Sequence, residues 1–236
     1  MIRSHPIDEL ELPPFEGFPR EGLAFLRGLK RHNDRGWFQA RKETYEEAVR
    51  LPMQCLIAAL ARRMAESAPE IEFHPRRSIF RIYRDTRFSK NKAPYKTNIG
   101  AAFTVRGRKS PGDTPCFYVG VEPGEVYVGG GLYLPSGPQL KSIRASIAGD
   151  PDAWLAVVGT PSFRRKFREI EGERLSRAPL GYAPDHPMIE HLKLKQFFAG
   201  RSYPEKVCLS GSFERTAAEV FRDLLPLVRW LIRAGA

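Results

Sequence analysis

The spacing of apolar residues changes twice along this chain, and the change restricts its fold more than any single motif does. In residues 52–66 apolar side chains recur every three or four positions, as on one face of a helix. Between residues 78 and 134 apolar and polar residues alternate instead, which is typical of strands. Helical spacing returns after residue 139 and is strongest in residues 213–232. Helices, then strands, then helices predict an α+β fold.

We expect an antiparallel β-meander of about four strands, flanked by N-terminal and C-terminal helices. The expected strands are residues 78–88, 99–105, 117–121 and 126–134. A Glu-Pro-Gly turn at 122–124 separates the last two, and connections this short favour antiparallel pairing. Three consecutive glycines at 129–131 predict a bulge or a close approach of backbones. Residues 189–198 are expected to be helical, and Pro226 should bend or divide the last helix.

The length of 236 residues suits one large domain or two small ones. We interpret residues 1–14 as an N-terminal extension and residues 15–236 as a single domain. The sequence has no run of 18 apolar residues, and residues 1–14 lack the apolar core of a signal peptide. We therefore expect a cytoplasmic protein that does not enter a membrane. The three cysteines, Cys55, Cys116 and Cys208, are widely spaced, which predicts buried, reduced thiols.

Positive charge is concentrated in one segment of the chain. The net charge is +11, and residues 74–108 hold ten basic residues and a single acid. That segment therefore supplies nine of the eleven net charges. So local an excess predicts an anionic partner better than a uniformly high isoelectric point would. The alternative is a solvated strand face whose lysines keep an exposed edge from aggregating.

The candidate ligand-binding residues lie in the middle of this segment. They are Arg81, Tyr83, Arg84, Asp85, Arg87, Ser89, Lys90, Lys92, Tyr95 and Lys96. Arginine presents a planar fork that suits carboxylate or phosphate, and lysine adds a mobile point charge. Alternation along a strand would place Arg81, Asp85 and Arg87 on one face, where Asp85 can hold an arginine in position. Tyr83 and Tyr95 are candidates to stack on a base or a sugar, or to donate hydrogen bonds.

Arg84 is the exception in this set. By the same alternation it falls on the face of Phe80 and Ile82, which we expect to pack on the core. We therefore expect Arg84 to be buried beside an acid or near the carbonyl groups of a helix C-terminus.

The stretch Arg-Asp-Thr-Arg-Phe-Ser-Lys-x-Lys-x-Pro-Tyr-Lys at residues 84–96 resembles the signature of the domain of unknown function 2461 family. The resemblance continues at Asn33, Trp37-Phe38 and residues 118–119, 129–131, 185–187, 194–195 and 226–231. It covers about residues 15–231, and it implies one intact domain with an important basic motif. It carries over no catalytic residue. Asn33-Asp34 departs from the paired asparagine typical of the family, which we expect to affect only a helix cap.

A second group of candidates follows in the C-terminal half. It comprises Asp185, His186, Pro187, Glu190 and His191. A carboxylate close to an imidazole suits acid–base chemistry. The histidines are not spaced to ligate a metal from one helix, so we predict no metal site. A structural reading is favoured, in which Asp185 caps a helix that begins at Pro187.

Gly129 and Gly130 are further candidates, because backbone N–H groups there could approach a ligand near the arginines. The glycine run lacks the lysine of a phosphate-binding loop and the spacing of a dinucleotide motif. We therefore predict no cofactor.

Two functions fit these residues. The first is a binding protein for a phosphate-bearing or other anionic ligand, nucleic acid included, because aromatic and cationic side chains interleave in the basic segment. The second is an enzyme acting on a small anionic, phosphorylated substrate, with Arg81, Arg87 and Lys92 holding the anion and Asp85 or His186 transferring a proton. The sequence also leaves open an acidic protein partner. Binding is preferred, because the chain shows neither a nucleophile motif nor a metal set.

Overall fold

The N-terminal part of the chain folds as a block of helices. The computed structural model describes residues 12–87, 89–107 and 112–235. The helices of the block are α1 (Arg20–Arg31), α2 (Arg35–Gln39), α3 (Lys42–Tyr45) and α4 (Leu51–Met64). A π-helical turn at Glu46–Arg50 joins α3 to α4. Asp34 caps α2 by accepting a hydrogen bond from the Trp37 N–H at 2.9 Å. Pro52 lies in the first turn of α4, where its missing N–H leaves no helical hydrogen bond unmade.

The centre of the molecule is one four-stranded antiparallel sheet. Its strands are β1 (Ile99–Thr104), β2 (Cys116–Glu122), β3 (Glu125–Leu132) and β4 (Phe197–Pro204), in that spatial order. Ala101, Val119, Val128 and Arg201 lie in one row across the sheet. The predicted α+β meander is therefore confirmed.

The C-terminal helices pack around this sheet. They are α5 (Gly137–Gly149), α6 (Pro151–Val158), α7 (Pro161–Phe167), α8 (Ile189–Leu192) and α9 (Phe213–Gly235), with a short 3-10 helix at Glu205–Leu209. From α9, the ring of Phe221 stacks on Phe117 of β2 at 4.7 Å between centroids and lies 5.7 Å from Phe103 of β1. Pro226 does not divide α9, because the apolar face of this helix is buried on both sides of the proline.

Two of the strand and helix predictions were wrong. Only residues 189–192 of the expected helix 189–198 are helical, and β4 begins at Phe197. Pairing with β3, more than 60 residues earlier, supplies the backbone partners of β4. A local apolar pattern cannot register such a distant partner.

The expected strand 78–88 is not a regular strand in its described part. It makes two isolated antiparallel bridges: Ile79 pairs with Ala101 of β1, and Tyr83 pairs with Tyr95, which precedes β1 in the chain. Ile79 and Tyr83 are four positions apart, whereas their partners Ala101 and Tyr95 are six positions apart. The partner side therefore has two extra residues, which interrupt a regular ladder. Phe88 lies outside the described residues.

Buried residues from Phe15 to Ala234 form one hydrophobic cluster. All three cysteines are buried, as predicted, and burial raises the pKa of the Cys116 thiol to about 12 and that of Cys208 to about 11. Among the described residues, no helix combines the length and the apolar character needed to cross a membrane.

Candidate functional site

Residues 81–87 of the basic segment form an extended chain whose side chains alternate between the core and solvent. Ile82 is buried, and the residues on either side of it are exposed. The exposed side chains of residues 81–87 are Arg81, Tyr83, Asp85 and Arg87. Backbone hydrogen bonds fix this arrangement, with the Lys96 N–H donating to the Ile82 carbonyl at 2.8 Å. The predicted alternation is therefore confirmed, although the segment is not a regular strand.

Two of the cations hold together the loop at residues 84–96, which we call the basic loop. The Arg84 guanidinium donates to the Ala93 carbonyl at 3.4 Å and to the Ser89 hydroxyl at 3.5 Å. The Lys92 ammonium donates to the Thr86 carbonyl at 2.9 Å. The expectation that Arg84 packs beside an acid or a helix C-terminus was wrong. Its partners lie within its own loop, because a half-buried guanidinium needs nearby acceptors and the loop supplies them.

Asp85 positions Arg87 at the exposed edge of the basic loop. The two side chains form a bidentate ion pair, with Nε to Oδ1 at 3.1 Å and Nη2 to Oδ2 at 2.8 Å. The hydrogen bonds from Arg87 hold the pKa of the Asp85 carboxyl below its usual range. A carboxylate held in its charged form suits the orientation of an arginine better than it suits proton transfer near neutral pH.

Removal of Arg87 is therefore expected to return the pKa of Asp85 to its ordinary range. Because the folded-state pKa is lowered, this ion pair stabilises the folded protein above the unfolded pKa of aspartate, and its contribution is lost as the pH falls through the folded value. Carboxyl NMR titration of wild type and Arg87→Ala measures the change. Arg81→Ala is the control and should raise the pKa less, since Arg81 contributes less to the shift than Arg87 does. An unchanged Asp85 titration in Arg87→Ala would show that the pair does not persist in solution.

Tyr95 is a core residue and cannot stack on a ligand. Its side chain is 2% exposed, and its ring stacks on Phe38 of α2 at 4.2 Å between centroids. Asn33 fixes the backbone of Tyr95 from both sides: its Nδ2 donates to the Tyr95 carbonyl at 3.0 Å, and its Oδ1 accepts from the Tyr95 N–H at 2.9 Å. Asn33 therefore ties the helix block to the basic loop, while Asp34 alone caps α2. Of the two tyrosines, Tyr83 is 49% exposed and faces solvent.

Lys90 and Lys96 differ in their surroundings. Lys90 is exposed, whereas Lys96 is half-buried with its Nζ 5.1 Å from the centroid of the Phe80 ring. Burial, together with the nearby charge of Arg81, lowers the pKa of Lys96. Lys96 thus serves to pack the loop against Phe80 as well as to add charge.

The helix block and the basic segment enclose a cleft of about 290 Å³, which we call the basic cleft. Its charged lining residues are Lys42, Arg50, Arg76, Arg81 and Glu46, and its aromatic lining residues are Phe38, Tyr45, Phe80 and Tyr83. Among the described lining residues, Glu46 is the one carboxylate. That carboxylate is already engaged, because Arg50 Nη1 lies 2.8 Å from Glu46 Oε2. Arg81 makes no hydrogen bond or ion pair within the described part of the chain.

Half of the basic cleft comes from residues that the sequence analysis missed. Lys42, Tyr45, Glu46 and Arg50 belong to α3 and the π-helical turn. At this turn the Leu51 N–H bonds to the Glu46 carbonyl five residues back. Such turns are short, strained insertions that recur at functional sites, and this feature leaves no obvious mark in the sequence. Burial, reinforced by the charge of Glu46, raises the pKa of Tyr45 to about 12.

The residues that line the basic cleft lie within the part of the chain that matches a known family. The model of a family described as "Conserved hypothetical protein (DUF2461)" matches residues 21–230. The chain belongs to the DUF2461 family. No curated protein matches it. The family description names no activity, so the function of this DUF2461 protein has to be argued from its own geometry.

Asp185 and His186 of the DUF2461 chain lie in a turn and do not line the basic cleft. His186 Nδ1 accepts from the Met188 N–H at 3.1 Å, and the His186 carbonyl accepts from the Ile189 N–H at 2.9 Å. Asp185 is exposed and does not cap α8, which begins at Ile189 after Met188, so the predicted cap was wrong. Within the described residues, no group of three or more His, Cys, Asp or Glu side chains could hold a metal ion.

Gly129 and Gly130 lie in β3 and are packed beneath side chains of their own sheet. A Cβ atom on Gly129 would come within 2.7 Å of the Phe198 ring, and one on Gly130 within 2.8 Å of the Phe117 ring. Gly131 has a φ of +139°, and a Cβ there would lie 2.1 Å from the Phe197 carbonyl oxygen. The predicted close approach of backbones is therefore confirmed, and its partner is β4.

Proposed function

We propose that this DUF2461 protein binds a small phosphate-bearing ligand in the basic cleft. The observation that carries the proposal is the charge of the cleft lining: Lys42 and Arg81 form no ion pair with a described residue, and the one described carboxylate, Glu46, is already paired with Arg50. Cations gathered around one cavity repel one another, and a bound anion relieves that repulsion. Guanidinium groups such as that of Arg81 match the geometry of phosphate oxygens.

The size of the cleft supports a small ligand. Its volume of about 290 Å³ lies near the lower end of known small-molecule sites, roughly 300–1,000 Å³. A sugar phosphate or a mononucleotide fits this range. Tyr83, which is half exposed at the cleft, offers a ring on which a base or a sugar can stack.

Binding without chemistry is the better-supported reading of this site. A general acid–base catalyst works best with a pKa near the working pH. Two polar groups beside the cations depart from that requirement in opposite directions. The pKa of Tyr45 is raised to about 12, and that of Asp85 is lowered by Arg87.

Isothermal titration tests this proposal with inorganic phosphate, a sugar phosphate, mononucleotides and short single-stranded oligonucleotides at low salt. Arg81→Ala should weaken the binding of the preferred ligand about tenfold to hundredfold, which corresponds to one charge-assisted hydrogen bond. Arg215→Ala removes an exposed arginine of α9 that does not line the cleft and should leave binding unchanged. Equal affinity of wild type and Arg81→Ala would contradict the proposal.

The same titrations separate a small molecule from a nucleic acid. Affinity that does not increase beyond the mononucleotide identifies a small-molecule site. Affinity that rises with strand length, and falls steeply with added salt as counterions are released, identifies a nucleic acid that extends from the cleft along the basic loop.

Removal of the carboxylate in the cleft is expected to strengthen binding. In Glu46→Gln the side chain keeps its size, Arg50 is released from its ion pair, and the lining gains one net positive charge. Affinity for the phosphate ligand should rise several-fold, since the charge lies at the edge of the ligand and is partly screened by solvent. Glu47→Gln, in the same turn but outside the cleft lining, is the matched control. A fall in affinity in Glu46→Gln alone would mean that Glu46 contacts the ligand directly.

A further inference from the structure

A second cavity of about 170 Å³ lies far along the chain from the basic loop, and we call it the arginine pocket. Its basic lining residues are Arg164, Arg168, Arg174 and His191. Its one described carboxylate, Glu169, lies 2.6 Å from Nη2 of Arg174 and is thereby engaged. Arg164 and Arg168 form no side-chain ion pair with any described residue. Apolar residues of α6 and the following segment, among them Val158 and Ile170, complete the lining.

Arg168 reaches this pocket through a strained backbone. Its φ of 65° and ψ of −73°, with the Glu169 N–H donating to the Phe167 carbonyl at 2.9 Å, define a γ-turn directly after α7. This turn is rare and sterically costly for any residue with a Cβ atom, whereas glycine adopts it more readily. The chain nevertheless has an arginine at the centre of the turn. Strained backbone conformations of this kind cluster at functional sites, where the side chain contacts a ligand or a substrate.

His191 of α8 is fixed in one tautomer. Its Nδ1 accepts a hydrogen bond from Nε1 of the buried Trp154 at 3.0 Å, so in the neutral ring the proton lies on Nε2. Burial, together with the charges of Arg174 and Arg164, lowers the pKa of His191, while Glu190 opposes the shift. Near neutral pH His191 is therefore an uncharged donor through Nε2.

We propose that the arginine pocket is a second binding site of this protein, separate from the basic cleft, for a small doubly charged oxyanion of the phosphate class. Arg164, Arg168 and Arg174 supply the charge, and the Nε2–H of His191 supplies a directed hydrogen bond. The volume of about 170 Å³ holds a single tetrahedral anion or the terminal phosphate of a larger molecule. The apolar side of the pocket strengthens the attraction by excluding water.

NMR of the histidine side chains tests this proposal with inorganic phosphate as the probe, because the signal belongs to one site. The His191 signal is assigned by its absence in His191→Gln. Phosphate should shift it saturably and raise the pKa of His191 by about one unit, because a bound dianion favours the charged ring. The response should be lost in the double variant Arg164→Ala, Arg168→Gly and kept in Arg81→Ala, which disables the basic cleft alone. If phosphate does not shift the His191 signal, or shifts it equally in the double variant, the proposal is wrong. If acetate shifts the signal at the same concentration as phosphate does, the ligand of the pocket is not specifically a dianion.

Arg168→Gly provides a second and independent measurement. Relief of the strained turn should raise the thermal unfolding midpoint, while the phosphate response of His191 weakens at least several-fold. Arg165→Gly, inside α7, is the matched control and should lower the midpoint and keep the response, since glycine destabilises a helix interior. A lower midpoint in Arg168→Gly would show that the arginine serves folding and would overturn the proposal.

Discussion

Replacing Phe38 with alanine is expected to lower the free energy of unfolding by about 3–5 kcal/mol. Phe38 is 1% exposed and joins the helix block to the basic segment. Its ring stacks on Tyr95 at 4.2 Å between centroids and lies 5.5 Å from Tyr45 and 6.1 Å from Phe25. Truncation leaves a cavity among these rings, and neighbours in a packed core relax only partly into such a space. Urea unfolding of wild type and variant measures the loss.

The same substitution should also weaken ligand binding, because Phe38 lines the basic cleft. Phe38→Leu is the control: it keeps most of the volume and should cost only about 1 kcal/mol. If Phe38→Ala is no more destabilising than Phe38→Leu, the ring does not anchor the basic loop to the helix block. Such a result would remove the structural basis that we give for the shape of the cleft.

Asn33→Ala is expected to cost about 2 kcal/mol of unfolding free energy, the effect of leaving two part-buried backbone groups unpaired. Asn33 and Tyr95 are 62 positions apart in the sequence, and the Asn33 amide satisfies both the N–H and the carbonyl of Tyr95. Loss of these bonds should also speed hydrogen exchange at the Tyr95 amide and weaken phosphate binding. Chemical unfolding and amide exchange by NMR measure the two effects.

Two further variants serve as controls for the Asn33→Ala measurement. Asn33→Asp keeps the acceptor for the Tyr95 N–H but loses the donor to the carbonyl, so its cost should be intermediate. Asn91→Ala removes an exposed amide whose Oδ1 accepts from the Ala93 N–H at 2.9 Å within the basic loop, and it should cost less than about 1 kcal/mol. If Asn33→Ala is no more destabilising than Asn91→Ala, the connection between helix block and loop is not a strong one.

The parts of the fold that depend on local pattern could be predicted from the sequence. The helical spacing of residues 52–66 identifies α4, and the Pro-Gly turn identifies the hairpin of β2 and β3. The alternation of residues 81–87 gives the correct exposure of each side chain even though the segment is not a regular strand. In each case neighbours in sequence determine the outcome.

The features that were missed depend on residues distant in sequence. β4 could not be identified because its partner β3 lies far earlier in the chain. Lys42 and Arg50 join Arg81 in the basic cleft only once the helix block packs against the basic segment. The role of Asn33 likewise has no local signal, since its partner is Tyr95. Charge concentration pointed to the basic segment, but not to the half of the cleft that lies outside it.

These contacts separate the basic residues into two groups with different tasks. Arg84 and Lys92 hold the basic loop together through its own carbonyl groups. Arg81 and Arg50 line the cleft, where a ligand can reach them. Loss of a loop arginine should therefore reduce stability and binding together, whereas loss of Arg81 should reduce binding alone.

The most direct test of the central claim is a crystal structure of the protein soaked with tungstate, a tetrahedral dianion whose position is shown by its anomalous scattering. We predict an anomalous peak in the basic cleft, within hydrogen-bond distance of the guanidinium of Arg81 and next to Arg50 or Lys42. The peak should disappear in Arg81→Ala, with the fold unchanged. An empty basic cleft at a tungstate concentration that saturates binding in solution would contradict the proposed function.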